Sequence, residues 1–249
     1  YLGTYLSRRG FTFDYVNSFQ EEKEALTRKL TGGNILTIGI ITTLYVSPFP
    51  ILEIVTFIRK HNKTARIVVG GPFISTNVRT QDEYTLQYTL NSIGADFYIN
   101  SSQGEETLVR LIGALKNQEN YHEIPNLHYR RGETYVATPV ERENNLLAEN
   151  MVDWELFREK ADRFAALRTA ISCPFSCAFC GFPQHAGRYQ TADMMAVEKE
   201  LDTLHRLGKV TSVNFIEYTF NVPPERFKEI LRMMIKKKYG FNLHSYFRC

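Results

Sequence analysis

With 249 residues, 43% of them hydrophobic and 23% charged, the chain has the composition of a soluble globular protein, long enough for one large domain or two small ones. Its net charge of +3 is small, and no run of Lys or Arg is interleaved with stacking aromatics except the short Lys236–Lys238 at an expected helix end, so nucleic acid is not indicated. The longest apolar stretch, 35–46, is broken by Thr37, Gly39, Thr42 and Thr43 and falls short of the roughly 20 apolar residues of a membrane helix; neither a signal peptide nor a membrane partner is expected.

The first 120 or so residues alternate short β-rich runs with amphipathic segments, the pattern of a parallel α/β sheet covered by helices. Phe11–Val16 reads as a strand, followed by a charged helix from Glu21 to Leu30 that Gly32-Gly33 ends. Asn34–Thr42 is an Ile-rich strand expected to be buried on both faces, and Ile51, Ile54, Val55 and Ile58 mark one face of a helix. Arg66–Gly71 is the next strand and ends in a glycine pair. A helix near Asp82–Ser92, the strand Asp96–Asn100 and a helix opened by Gly104-Glu-Glu-Thr107 and running through Lys116 complete this part. The acidic pair suits the positive end of that helix. The chain begins in what reads as the back half of a helix, Tyr1–Arg9, with no strand before it. The expectation is that the numbering starts inside a domain whose first strand is missing.

From Ile124 to Pro139 two strand-like runs surround Arg131-Gly132, a hairpin pattern, and Glu141–Trp154 is polar and aperiodic, a linker. A second α/β segment comes next. Its elements are a strand Phe164–Ile171, a cysteine loop, a helix Asp193–Leu207 stopped by Gly208, a strand Ser212–Tyr218, a helix opened by Pro223-Pro224 and a strand Phe241–Arg248. A closed (β/α)₈ barrel takes eight strands and about 250 residues, so only the start of one is expected here. The expected division is 1–122, 123–162 (hairpin and linker) and 163–249.

Three of the four cysteines fall in Cys173-Pro-Phe-Ser-Cys177-Ala-Phe-Cys180. That is too few and too local for a disulfide framework and suits a reducing compartment. Three thiolates on one loop can hold three irons of a cubane [4Fe-4S] cluster and leave the fourth iron open to a small molecule. The alternatives are a zinc site, with His185 able to serve as a fourth ligand, or inert structural cysteines. Cys249 reads as an inert or substrate-side thiol.

Cys-x₃-Cys-x₂-Cys directly after a strand, with Phe179 before the third cysteine, resembles the radical S-adenosylmethionine (radical SAM) superfamily. The resemblance implies that Cys173, Cys177 and Cys180 ligate the cluster and that Phe179 lies along the adenine of SAM. Glu217 stands where many members carry a Gly-Gly-Glu-like motif for the SAM amino group. Here Phe215 and Ile216 replace the glycines, and a solvated or paired strand-end carboxylate is the other reading. Arg248 would contact the SAM carboxylate or a substrate, the alternative being a surface ion pair.

The upstream segment is similar to the cobalamin-binding, Rossmann-like (flavodoxin-like) domain of the B12-dependent branch of this superfamily. The matching pieces are Thr42 and Thr43 after one strand, Gly70 and Gly71 after the next, and Ser101, Ser102, Gln103, Gly104 and Glu105 after the last. Ligands of open α/β sheets bind outside the carboxyl ends of the strands, where such residues gather. Taken alone, each piece is also an ordinary turn or strand end.

The fold so implied is α/β, a B12-binding parallel sheet followed by the start of a radical SAM partial TIM barrel. The implied cofactors are a [4Fe-4S] cluster, SAM and cobalamin. The implied activity is a cobalamin-dependent radical SAM methyltransferase acting on an unactivated carbon or phosphorus of a small-molecule or peptide substrate through a 5′-deoxyadenosyl radical. A flavodoxin or ferredoxin would supply electrons in a reducing cytoplasm. Two other readings stand beside it: a non-methylating rearrangement or cyclisation, and a non-enzymatic cobalamin- or metal-binding module.

Overall fold

The computed structural model describes residues 1–182 and 186–248. Two compact units emerge, Thr12–Asn144 and a second made of Tyr1–Phe11 together with Asn145 onward. The first eleven residues, expected with the N-terminal domain, therefore belong with the C-terminal segment. Helix α1 (Leu2–Arg8) is held there by long-range bonds: Tyr5 Oη donates to Asn145 Oδ1 at 2.9 Å, and Asp153 N donates to Thr4 Oγ1 at 3.0 Å.

In the Thr12–Asn144 unit, α2 (Lys23–Gly32) precedes β1 (Thr37–Ile41), α3 (Pro48–His61), β2 (Arg66–Gly70), α4 (Pro72–Thr80), α5 (Glu83–Ile93), β3 (Phe97–Ile99), α6 (Glu105–Asn117), β4 (Leu127–Arg131) and β5 (Thr134–Ala137). The sheet order is β1-β2-β3-β4-β5, with β1 to β3 parallel and β4 and β5 antiparallel. The hairpin expected beside a linker thus extends the sheet. Phe11–Val16 is not a strand, because the sheet ends at β1. As an edge strand β1 is half open, with Ile41 57% exposed, where burial on both faces was expected.

Strand alternation sorts the core. Ile67, Val69 and Tyr98 join Ile51, Ile54, Val55 and Ile58 of α3 and Leu86 and Leu90 of α5 in one cluster, while Val68, Phe97 and Ile99 are buried outside it. Tyr98 is buried without an orphaned hydroxyl: its Oη donates to Leu90 O at 2.6 Å and accepts from Ala95 N at 3.1 Å. Asn62 is buried and holds Leu30 O, Thr64 and Ala65, so its glycosylation-like triplet is a structural turn.

In the second unit β6 (Phe164–Leu167), β9 (Ser212–Phe215) and β10 (Asn242–Ser245) form a parallel sheet in the order β10-β9-β6. Two helices, α7 (Met194–Leu207) and α8 (Pro224–Lys237), connect them in the βαβα manner of a barrel wall. Asp193 caps α7 by accepting from Ala196 N at 2.7 Å, and Gly208 ends it in the left-handed conformation. Val197, Leu201 and Leu204 of α7 pack on Ala165, Leu167, Val213 and Phe215 of the strands. A separate antiparallel pair, β7 (Ala170–Ile171) with β8 (Gln190–Thr191), replaces the second half of the single strand expected over Phe164–Ile171. From Asn145 onward the expected linker belongs to this unit, with Leu147 and Met151 in its core.

Candidate active site

The β7–β8 pair pins both ends of the cysteine loop. Ala170 pairs with Thr191 and Ile171 with Gln190, Ala192 N donates to Thr169 O at 2.9 Å, and Ser172 turns the chain outward at φ 67°. Tyr189 Oη donates to Val222 O at 2.9 Å and ties the returning arm to the segment after β9; burial raises that phenol above its ordinary range. Within the loop Cys180 N donates to Cys177 O at 2.9 Å. Cys173, Cys177 and Cys180 are free, half-buried thiols. Among the described residues no three His, Cys, Asp or Glu side chains are gathered around the position of a single metal ion. Three thiols spread on one loop have the donor chemistry of a cubane, in which each iron takes its own cysteine. His185, the candidate fourth zinc ligand, and Cys249 lie outside the described residues.

Leu167, Phe215 and Ser245 are in register at the C-terminal ends of β6, β9 and β10, so the segments that leave these strands emerge at the same edge. Cys173 Sγ lies 3.7 Å from Thr219 Oγ1, beyond β9, and Arg248 Nη1, beyond β10, lies 3.7 Å from Cys177 Sγ. The Arg248 guanidinium also sits 3.9 Å over the Phe175 ring. Arg248, expected to bind SAM or a substrate, thus touches the cysteine loop itself. Phe179 is 92% exposed, with its ring available to a flat ligand.

Glu217, expected either to meet the SAM amino group or to be a solvated or paired strand-end carboxylate, is paired here. It is buried, its carboxylate accepts from the Thr169 hydroxyl, and Arg226 of α8 pairs with it at 3.3 Å. Arg226 also donates to Thr169 O at 2.9 Å. Desolvation raises the Glu217 carboxyl above the usual carboxylate range, while Arg226 and Thr169 oppose that shift. Both oxygens are engaged, so this carboxylate braces the strand end behind the cysteine loop. Arg226, Thr169 and Thr219 carry no sequence signal of their own. A buried acid at 217 could have prompted a search for a cation, but nothing local selects Arg226 from the other basic residues.

In the Thr12–Asn144 unit, Ile41, Gly70 and Ile99 end their strands in register, and the three expected loops emerge there. They divide into exposed and internal residues. Thr43 and Ser102 are exposed, and Gly70, Gly71, Ser101 and Gln103 are half-buried. Thr42 is fully buried: its hydroxyl donates to Gly70 O at 2.9 Å and accepts from Phe73 N at 3.3 Å. Gly71 has φ 111°, and a Cβ there would come within 2.9 Å of Thr42 Oγ1. Gly104 caps α6 in the left-handed conformation, and Glu105 is buried in the first turn. That helix N-terminus is occupied from within: Glu143 accepts from Glu106 N at 2.9 Å, Thr107 N at 3.2 Å and the Thr107 hydroxyl at 2.6 Å. Beyond β1, Leu44, Val46 and Phe49 are 88%, 97% and 75% exposed, an apolar rim beside the same edge. A polar backbone edge with an apolar rim fits a large, mostly flat cofactor such as a corrin. It does not leave the α6 terminus free for a phosphate.

No family model matches the chain. A curated relative, the anaerobic magnesium-protoporphyrin IX monomethyl ester cyclase of Synechocystis sp., is 24% identical over 204 residues, 79% of this chain and 39% of its own length. Among solved structures, the radical SAM methyltransferase TsrM from Kitasatospora setae, with tryptophan substrate and the SAM analogue aza-SAM bound, matches with a TM-score of 0.70 at 20% identity, over 96% of this chain and 48% of that one. Another TsrM structure contains cobalamin and a [4Fe-4S] cluster and matches with a TM-score of 0.66. OxsB, a cobalamin-dependent SAM radical enzyme with aqua-cobalamin and SAM bound, gives a TM-score of 0.70 at 17% identity, over 97% of this chain and 35% of that one. The resemblance drawn from the cysteine motif and the α/β segment is borne out, and this chain has their fold. It spans less than half the length of each protein it matches here. Among the described residues no helix is long and apolar enough to cross a membrane.

Proposed function

We propose that the chain supplies the cobalamin-binding unit and the cluster-bearing opening of the barrel of a cobalamin-dependent radical SAM enzyme. The observation that carries this reading is the pinned loop with Cys173, Cys177 and Cys180 at the C-terminal edge of three parallel strands, in a chain that shares the TsrM fold over 96% of its length. When bound, the cluster and cobalamin would supply an electron for SAM cleavage and a carrier for a methyl group. The chain's own residues do the holding. Cys173, Cys177 and Cys180 bind the irons, and Phe179 offers an exposed ring for the adenine. Thr43, Gly70, Gly71, Ser101, Ser102 and Gln103 line the edge that receives the corrin, while Thr42, Gly104 and Glu105 shape its loops from inside.

Methyl transfer to an unactivated carbon or phosphorus of a small-molecule or peptide substrate is the favoured reaction, because the similar TsrM is a methyltransferase. Cyclisation or another rearrangement is the second reading, favoured by the curated cyclase relative. A flavodoxin or ferredoxin as electron donor and a reducing cytoplasm suit a cluster of this kind. The test is anaerobic reconstitution of the protein with iron, sulfide and cobalamin, then metal quantitation and a SAM-cleavage assay. About four irons and one cobalt per chain are expected, with release of 5′-deoxyadenosine that Cys177→Ala abolishes. S-adenosylhomocysteine in the product mixture would mark methyl transfer, and its absence beside 5′-deoxyadenosine would favour the rearrangement. Iron-free protein that cleaves no SAM would refute the assignment.

A further inference from the structure

We propose that Thr219 and Arg248 are positioning residues that donate hydrogen bonds to two cluster sulfurs, Cys173 and Cys177, and so raise the potential at which the cluster accepts an electron. The inference rests on the assignment of those cysteines as iron ligands and deepens it.

Thr219 is buried, and its hydroxyl oxygen lies 3.7 Å from Cys173 Sγ. Between a thiol and a hydroxyl either atom can donate. An iron-bound sulfur has lost its proton, so the hydroxyl becomes the donor. The Arg248 guanidinium, always charged, places Nη1 3.7 Å from Cys177 Sγ. Stacking over Phe175, which lies between these two cysteines in the loop, fixes the guanidinium against the same segment that carries the sulfur.

The two donors stand on one preformed shelf. Arg248 N donates to Asn221 Oδ1 at 3.0 Å, and Asn221 Nδ2 donates back to Arg248 O at 2.8 Å. Phe220 N donates to Tyr246 O at 2.9 Å. These bonds clamp the segment after β9, which carries Thr219, to the segment after β10, which carries Arg248. The shelf meets the cysteine loop at two separate sulfurs. Reduction adds negative charge to the cluster. A hydroxyl dipole and a cation directed at its sulfurs stabilise that charge and make reduction easier, and hydrogen bonds to sulfur are a recognised determinant of such potentials. Thr219, buried, is expected to contribute more than the exposed Arg248, whose charge water and salt screen.

The test is a redox titration, monitored by electron paramagnetic resonance, of the anaerobically reconstituted holoprotein and its Thr219→Val, Thr219→Ser, Arg248→Met and Asn221→Ala variants. Thr219→Val and Arg248→Met should each move the midpoint to a more negative potential, and the double variant further. Thr219→Ser, which keeps the donor, should restore the original value, a rescue that a purely structural role would not produce. Asn221→Ala should shift the midpoint in the same direction by loosening both donors. If Thr219→Val loses iron, Arg248→Met and Asn221→Ala carry the measurement. Unchanged midpoints in variants of full iron content overturn this inference alone. A wild-type protein that takes up no iron overturns the cluster assignment and this inference with it.

Discussion

Glu200 should make the stability of the cysteine-bearing unit fall as pH rises from about 4.5 to about 7. It sits on the inward face of α7, 3% exposed, beside Leu201 and Leu204. Trp154 Nε1 donates to its Oε1 at 2.8 Å, and Oε2 has no hydrogen-bond partner among the described residues. Burial is the main cause that pushes its carboxyl from an ordinary 4.5 up to about 7, against the opposing pull of Trp154 and Arg8. Because the folded chain holds this proton more tightly than the unfolded one, the stabilisation is complete below pH 4.5 and is lost as pH passes through 7. At ~1.4 kcal/mol per pH unit, the whole interval corresponds to roughly 3 kcal/mol. Glu200→Gln keeps the shape, removes the titration and should flatten the profile. Urea denaturation of both proteins at pH 5 and pH 8 would measure the difference. Trp154 is the chain's single tryptophan, so its emission reports on this contact directly. Parallel stability profiles for wild type and Glu200→Gln, with no emission change near neutrality in the wild type, would refute the reasoning.

Arg226→Ala should destabilise the same unit by about 3–5 kcal/mol, since it strands the buried Glu217 carboxylate; the double change Arg226→Met with Glu217→Leu should recover most of that loss in denaturant titrations. Gly71→Ala should cost roughly 1–3 kcal/mol from backbone strain at φ 111° plus the encounter with Thr42, read as a lower unfolding midpoint of the Thr12–Asn144 unit. Glu143→Ala should uncap α6 and cost about 1 kcal/mol, and hydrogen exchange should speed up at Glu106 and Thr107. A matching loss of cobalamin affinity in Glu143→Ala would show that the cap also shapes the corrin edge, whereas unchanged affinity would confine it to stability.

What the sequence by itself determined is local. The apolar face of α3, the stop at Gly208 and the cysteine spacing each express a helical period, a glycine turn or a ligand spacing set within a few residues. These were enough to order the elements and to point at a cluster loop followed by βα units. The tertiary structure decided whatever needs a partner distant in the chain. Phe11–Val16 has a strand's composition, yet a strand exists only where another offers it a ladder, and the sheet stops at β1. Helix α1 belongs with the C-terminal segment because Tyr5 and Thr4 find their partners at Asn145 and Asp153. Glu143 reads as linker until it meets the bare N–H groups of α6, and Glu217 reads equally as a ligand or as a paired strand-end carboxylate, with the partner Arg226 visible only in the fold. A charged side chain states that it needs a counterpart, and only the folded chain selects which one comes within reach, because burial and pairing energies depend on distance in space rather than along the sequence.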